Sequence, residues 1–122
     1  MEYTDKVLEN FNCPQNAYSM PDADAVGKKG DYACGDAVIV YIKVKENIIS
    51  EISYLVYGCP ASIATSSALS IMAKGKKLEE AMKITERDVE IWLDGLPEQK
   101  KHCSNLGVSA LKHAISNYYN TN

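Results

Sequence analysis

The chain has 122 residues, of which 46% are hydrophobic and 24% charged, and its formal net charge is -3. This length and apolar content suit one domain with a buried core and are too small for two ordinary domains. The excess of acidic residues argues against nucleic acid and anionic membrane surfaces as partners, because both would require a basic face. No apolar run has the length of a membrane span, and Met-Glu-Tyr-Thr-Asp at the start is too acidic for a targeting peptide. We therefore expect a single cytoplasmic domain.

The first thirty residues predict a short helix followed by an arm. Residues 3–11 have helical spacing, with Thr4 as the candidate N-cap. The apolar residues that this spacing places on one face are Tyr3, Val7, Leu8 and Phe11. From Asn12 to Gly30 the chain is rich in Asn, Pro, Asp, Gly and Ser without a period, which predicts an irregular, mobile arm.

Two stretches in the middle of the chain have the composition of β-strands. Apolar residues alternate from Ala37 to Val44, and β-branched and aromatic residues dominate from Ile48 to Tyr57. The short connection between them predicts an antiparallel hairpin. Because hairpin strands run in opposite directions, the region of Cys34 and Asp36 should lie beside Cys59.

The second half of the chain has helical patterns. Small residues from Ala61 to Ala73 follow Pro60, which is tolerated at the first helical position, and Gly75 suits the C-terminal cap. We expect another turn of helix at Leu78–Met82, and a capping box at Thr85-Glu-Arg-Asp88 that opens a short helix through Leu93. After Gly95-Leu96-Pro97, a final helix is predicted from about Gln99 to Tyr118.

The four cysteines, Cys13, Cys34, Cys59 and Cys103, contain no C-x-x-C pair. This spacing excludes zinc ribbons, zinc fingers and thioredoxin-like redox pairs, so the fold must assemble any shared site. Cys13 lies in the predicted arm and is interpreted as an unpaired thiol in a turn.

Cys103 begins the last helical pattern and directly follows His102. Unpaired N–H groups at a helix N-terminus, together with Lys100 and Lys101, favour the thiolate, which is the form that binds metal and attacks sulfur. This stretch alone is equally consistent with a half-buried cysteine beside a surface histidine.

Taken together, Cys34, Cys59 and Cys103 supply three thiolates, and Asp36 and His102 supply a carboxylate and an imidazole. This set suits a four-coordinate zinc site or an iron-sulfur cluster with one non-thiolate ligand. The choice between Asp36 and His102 stays open. A spare ligand suits a site that must both accept and surrender its metal.

The chain resembles the IscU/NifU-type iron-sulfur cluster assembly scaffolds. The resemblance rests on Ala33-Cys34-Gly35-Asp36, Tyr57-Gly58-Cys59 with the small residues that follow, Lys74-Gly75-Lys76, and Lys100-Lys101-His102-Cys103-Ser104. It covers nearly the whole chain in the family's order and spacing. Leu96-Pro97-Glu98-Gln99-Lys100 departs at two of five positions from the family's chaperone-recognition segment, which argues against dependence on an Hsp70-type chaperone.

The resemblance implies an α+β fold, in which a three-stranded antiparallel sheet has helices packed on one face and the third strand precedes Cys34. It also implies that a [2Fe-2S] cluster is built on Cys34, Cys59 and Cys103 with Asp36 or His102. The sulfur would come as persulfide from a cysteine desulfurase, the iron from a donor, with ferredoxin as a further candidate partner. The cluster would then pass to apo-proteins, and a homodimer is one option for the assembly.

We expect a carrier rather than a turnover enzyme, with Cys103 as the primary persulfide acceptor. Cys34 is the second choice, because Asp31 and Asp36 flank it and disfavour its thiolate. Cys59 should be less accessible, because Pro60 and small packed residues follow it. Two other functions remain open. One is a zinc-bound sulfur acceptor of the SufU type, although SufU-type proteins carry an insertion between the second and third cysteines and lack the His before the last one. The other is a protein with a structural zinc site.

Overall fold

The computed structural model describes residues 2–31 and 35–121. Within these ranges the elements are α1 (Asp5–Asn12), β1 (Ala25–Asp31), β2 (Asp36–Lys45), β3 (Ile48–Tyr57), α2 (Pro60–Ala73), α3 (Leu78–Ala81), α4 (Glu86–Trp92) and α5 (Cys103–Thr121), with a short 3-10 turn at Glu98–Lys100. None of the helices in the described ranges is long and apolar enough to cross a membrane.

The three strands form one antiparallel sheet in the order β1-β2-β3. Glu46 and Asn47, which join β2 to β3, have φ angles of 54° and 65°, the left-handed conformation that matches the twist of a two-residue hairpin. Ala37 pairs with Tyr57, so Asp36 at the start of β2 lies next to Gly58 at the end of β3. The predicted hairpin, with its start and end side by side, is confirmed.

The helices cover one face of this sheet, as expected for the predicted α+β class. Helix α5 packs on β1 and β2, α2 packs on β3 and α5, α1 packs on α2, and α4 packs on α5. The alternating side chains of Val38, Val40 and Ile42 are buried beneath them, as are Ile52 and Tyr54 on β3. Burial of a large apolar side chain contributes about 1.5–3 kcal/mol, so this layer stabilises the packing of the helices on the sheet.

Strand β1 corrects one expectation. We expected irregular chain through Gly30, but Ala25–Asp31 pairs with β2 along its whole length. Side chains of α5 also bind its outer edge, where the Nδ2 of Asn117 donates to the carbonyl of Val26 and the Nδ1 of His113 accepts from the N–H of Lys28. Tertiary contacts therefore stabilise a strand that the sequence did not indicate, because two of its residues are glycines with low strand propensity.

The segment between α1 and β1 has no regular element, as expected, but it makes specific contacts. The N–H of Gln15 donates to Ser67 Oγ, and Asn16 Nδ2 donates to Ser70 Oγ, so its start is attached to α2. Further on, Tyr18 Oη donates to Glu51 at 2.6 Å, and Asp22 forms an ion pair with Lys43. Glu51 and Lys43 project from the sheet face opposite the helices, so the segment crosses that face. Mobility of residues 12–30 stays a prediction.

Most of the helix boundaries agree with the sequence. Thr4 caps α1, Pro60 begins α2, Gly75 adopts a φ of 86° after it, and the Thr85–Asp88 capping box opens α4. The last helix begins later than expected, at Cys103 rather than near Gln99, because the 3-10 turn intervenes.

The predicted apolar face of α1 is only partly correct. Val7 is fully buried, whereas Leu8 and Phe11 stay 41% and 36% exposed. A two-turn helix that packs mainly on α2 buries only a narrow stripe of its surface.

The contact between β1 and α5 predicts a sensitive glycine. A Cβ atom on Gly27 would lie 2.1 Å from the carbonyl oxygen of Ala110 and 2.3 Å from the nitrogen of Ala114. Overpacking typically costs about 1–3 kcal/mol, and here the obstacle is backbone that cannot rotate away. We expect Gly27→Ala to lower the free energy of unfolding by at least about 2 kcal/mol in urea denaturation. Lys28→Ala, at an exposed neighbouring position, is the control, and equal midpoints for the two variants would contradict this packing.

Candidate metal centre

The candidate site lies where the open end of the hairpin meets the beginnings of two helices. Cys59 is the residue immediately before α2 and acts as its N-cap in an extended backbone conformation. Cys103 is the first residue of α5. Since α2 and α5 pack against each other, both thiols are held at the same end of the helix layer.

The two thiols are in contact. Cys59 Sγ and Cys103 Sγ lie 3.6 Å apart, and both cysteines are free. A disulfide would require about 2.0 Å, so these are two reduced sulfurs at van der Waals distance. The imidazole of His102 joins them, with its Nε2 at 3.7 Å from Cys103 Sγ.

Asp36 reaches the thiols through a serine. Ser62 Oγ donates to Asp36 Oδ1 at 3.5 Å and lies 3.6 Å from Cys59 Sγ. Ser62 is fully buried in the first turn of α2. The sequence indicated only a small packing residue at this position, and its place three residues after a helix-capping cysteine was the signal that could have identified it.

Gly58 permits the close approach of Asp36 to Ser62. A Cβ atom at that position would lie 2.7 Å from Asp36 Oδ1 and 2.9 Å from Ser62 Oγ. The glycine before Cys59 is therefore required by the close approach of the carboxylate to the start of α2.

The structure thus connects four of the five predicted ligands by short contacts, from Asp36 through Cys59 and Cys103 to His102. The fifth, Cys34, lies outside the described residues. Within the described part of the chain, no three His, Cys, Asp or Glu side chains form a group able to hold a metal ion. The complete ligand set stays a prediction. Cys13 is exposed at the end of α1, in line with its interpretation as an unpaired thiol.

The environments of the two thiols differ from those expected. Cys103 is 1% exposed, and burial raises its pKa to about 11. Cys59 is half-buried, which by itself raises the pKa, but hydrogen bonds from Ser62, from the Cys103 thiol and from the backbone outweigh this and lower its pKa below the ordinary thiol value. The expectation that Cys103 is the more accessible thiolate of these two is therefore wrong.

These pKa shifts predict an order of alkylation. Cys59 should form its thiolate at a lower pH than an ordinary thiol, and Cys103 only near pH 11, so iodoacetamide at pH 8 should modify Cys59 and leave Cys103 free. Peptide mass spectrometry of the metal-free folded protein measures both positions in one digest. Modification of Cys103 before Cys59 would contradict the assigned environments.

The variant Ser62→Ala tests whether the Ser62 hydroxyl lowers the pKa of Cys59. Loss of the hydroxyl removes a hydrogen bond to the Cys59 sulfur, so the pH at which Cys59 becomes half-reactive should rise. Ser66→Ala is the matched control, because it also removes a buried hydroxyl from α2, but that hydroxyl donates to the carbonyl of Ser62 at 2.8 Å. If both variants shift the profile equally, the effect comes from the helix and not from the Ser62 contact.

The chain is similar to known proteins along nearly its whole length. The family model of the NifU-like N terminal domain matches residues 2–122. The iron-sulfur cluster assembly scaffold protein IscU 1 of Archaeoglobus fulgidus is 51% identical over 120 residues, which cover 98% of this chain and 78% of that protein. The scaffold protein IscU of Aquifex aeolicus is 43% identical over 119 residues, covering 96% and 76%.

A solved structure shows the same fold. The crystal structure of the N-terminal part of a nitrogen-fixing NifU-like protein from Brucella abortus matches with a TM-score of 0.76 at 17% identity, covering 97% of this chain and 94% of that one. Since the family model matches residues 2–122 and a relative is 51% identical, this chain belongs to the family of NifU-like N-terminal domains.

Proposed function

We propose that this protein is a scaffold on which an iron-sulfur cluster is assembled and from which the cluster is passed to apo-proteins. The observation that carries the proposal is the contact of Cys59 and Cys103 at two helix N-termini, 3.6 Å apart. The relatives reported above are named iron-sulfur cluster assembly scaffold proteins, and they support the same function.

The separation of the two sulfurs suits one metal ion. Two thiolates that bind a single tetrahedral metal at about 2.3 Å lie about 3.8 Å from each other. The observed 3.6 Å therefore requires only a small adjustment before both sulfurs can bind the same iron. The N-termini of α2 and α5 also stabilise the negative charge that develops on the sulfurs when they lose their protons.

We propose a [2Fe-2S] cluster as cargo, bound by Cys34, Cys59 and Cys103 with either Asp36 or His102 as the fourth ligand. Iron enters as substrate, and the same donor set would hold one zinc ion in its place. A carboxylate is a hard ligand in a cluster that prefers thiolate, so it suits a cluster that must leave.

Sulfur is proposed to arrive as persulfide from a cysteine desulfurase, and an iron donor and apo-proteins would complete the set of partners. Of the two described thiols, the half-buried Cys59 is better placed than the fully buried Cys103 to meet a large partner. Cys103 remains the acceptor that the sequence suggested, and trapping the added sulfur at short times on separate peptides decides between them.

Anaerobic reconstitution tests the function. Purified protein is mixed with ferrous iron, cysteine, a cysteine desulfurase and dithiothreitol, and the visible absorption is followed. We expect the spectrum of a [2Fe-2S] cluster with about two irons per cluster, and its transfer to an apo-ferredoxin. Sulfur uptake with retained zinc and no cluster would instead indicate a zinc-bound sulfur acceptor, and inertness would indicate a structural zinc site.

Single-residue variants make this test specific. Cys59→Ser and Cys103→Ser should each prevent a stable cluster, because each removes a thiolate ligand. Cys13→Ser is the control, since this exposed thiol lies outside the proposed ligand set, and it should assemble the cluster like the unmodified protein. Loss of assembly in Cys13→Ser would contradict the ligand assignment.

Replacement of Asp36 identifies the fourth ligand. If its carboxylate binds iron and keeps the cluster labile, Asp36→Ala should hold the cluster longer and transfer it more slowly than the unmodified protein. His102→Ala is the matched variant and should leave the transfer rate nearly unchanged. Transfer rates to apo-ferredoxin measure both, and the reverse pattern would assign the fourth position to His102.

A further inference from the structure

The contact between Cys59 and Cys103 has chemical consequences beyond metal binding. Their sulfurs are 3.6 Å apart, both thiols are reduced, and each is held at the start of a packed helix. Reacting atoms held about 3–3.5 Å apart in a fixed arrangement react as if at very high local concentration. A sulfur atom bound to one of these thiols is therefore within reach of the other.

We propose that Cys59 and Cys103 act as an internal two-electron reductant that releases sulfide from a persulfide bound to either of them. The inference deepens the proposed function and rests on it, because it assumes that sulfur reaches this site as persulfide. It assigns to the thiol pair a reaction, in addition to its place among the cluster ligands.

The step is a thiol–disulfide exchange. With the persulfide on Cys59, Cys103 Sγ attacks Cys59 Sγ, a Cys59–Cys103 disulfide forms, and the bond from Cys59 Sγ to the terminal sulfur breaks. The terminal sulfur takes the bonding electron pair and leaves with the proton of the Cys103 thiol as hydrogen sulfide. The outer sulfur is reduced by two electrons, and the two cysteines lose two electrons between them.

Burial divides the two roles. Cys59 is half-buried, so it can receive sulfur from a partner, whereas Cys103 is 1% exposed and is shielded from external thiols and oxidants. A protected thiol behind an accessible one is the arrangement needed to resolve a persulfide inside the protein. To reach a disulfide, the sulfurs must approach from 3.6 Å to about 2.0 Å, a movement that side-chain rotation can supply.

Because the two cysteines supply only two electrons, the reaction has two consequences. Each chain can release only one sulfide without an outside reductant, because the pair holds only two electrons. The disulfide must then be reopened by an external dithiol before both cysteines can bind iron. Reduction of the pair would thus be required between sulfur delivery and iron binding.

The experiment uses metal-free full-length protein under anaerobic conditions with no added reductant. The protein is treated with sodium tetrasulfide and gel-filtered, sulfide is trapped with monobromobimane, and cysteine states are mapped by peptide mass spectrometry. We expect one sulfide per chain and a Cys59–Cys103 disulfide. Cys13 is an internal control, because this exposed thiol contacts no other thiol in the described residues, and its persulfide should persist.

Cys103→Ser separates acceptance from release. In this variant Cys59 should gain one sulfur atom and keep it, and the trapped sulfide should fall to the background of a buffer blank. A persulfide that persists on Cys59 in the unmodified protein as it does in the variant would overturn the proposal. A disulfide that joins Cys34 to either cysteine, in place of the Cys59–Cys103 bond, would overturn it as well.

The scaffold function and the release of sulfide by the thiol pair can be tested separately. Reconstitution with dithiothreitol supplies electrons from outside, so cluster assembly under those conditions does not need the internal pair. A protein that assembles the cluster with dithiothreitol but keeps its persulfide without it retains the scaffold function and disproves this inference. Release of sulfide with disulfide formation, but no cluster under any condition, would support the inference and disprove the scaffold function.

Discussion

The close packing of α2 on α5 is the constraint on which the site depends, because it determines how near the two helix N-termini can come. Small residues form this contact. A Cβ atom on Gly107 would lie 3.1 Å from Leu69 Cδ2 and 3.7 Å from Ser66 Oγ, and Thr65 Oγ1 donates to the carbonyl of Cys103. Larger side chains in this contact would separate the helices, and Cys59 and Cys103 would lose their contact while remaining in the sequence.

The two thiols show how similar local settings give opposite chemistry. Both lie at helix N-termini, where the dipole is worth about 0.3–1 kcal/mol, which is less than one pKa unit. Full burial shifts a pKa by up to about 3–5 units, so it prevails at Cys103. Cys59 is only half-buried and receives hydrogen bonds from Ser62, which reverses the outcome. The decisive quantity is exposure, which depends on tertiary packing.

This distinction also explains what the sequence could predict. The β2–β3 hairpin, Pro60 at the start of α2 and the capping box at Thr85 depend on neighbouring residues, and each was predictable. Strand β1 was not predicted from its own residues. Gly27, which permits the close approach of α5, lowers the strand propensity, and the pairing strand β2 begins only after Cys34. The resemblance to a known family did imply a third strand before Cys34.

The candidate site shows the same division. The candidate residues and their order could be read from the sequence, whereas the contact between Cys59 and Cys103 depends on how the fold brings two distant helix starts together. The role of Ser62 was missed because several serines occur in this helix of small residues, and only its place three residues after Cys59 distinguishes it in the sequence. The thiol environments were mistaken because no local pattern shows which of two cysteines at helix starts is covered by the fold.

The carboxylate and the two thiols are held by different parts of the fold and are connected through Ser62. Cys59 and Cys103 are fixed by two packed helices, whereas Asp36 stands at the first residue of β2 and is attached to α2 through one long contact of 3.5 Å from Ser62. The hydroxyl of Ser62 has a single proton, so it can serve Asp36 or the Cys59 sulfur, but not both at once. When Cys59 carries a negative charge, that proton is drawn to the sulfur and the Asp36 carboxylate loses its hydrogen bond from Ser62. The charge of Cys59 therefore decides whether Ser62 holds the Asp36 carboxylate, while the packing of α2 on α5 keeps both thiols in place whichever group the hydroxyl serves.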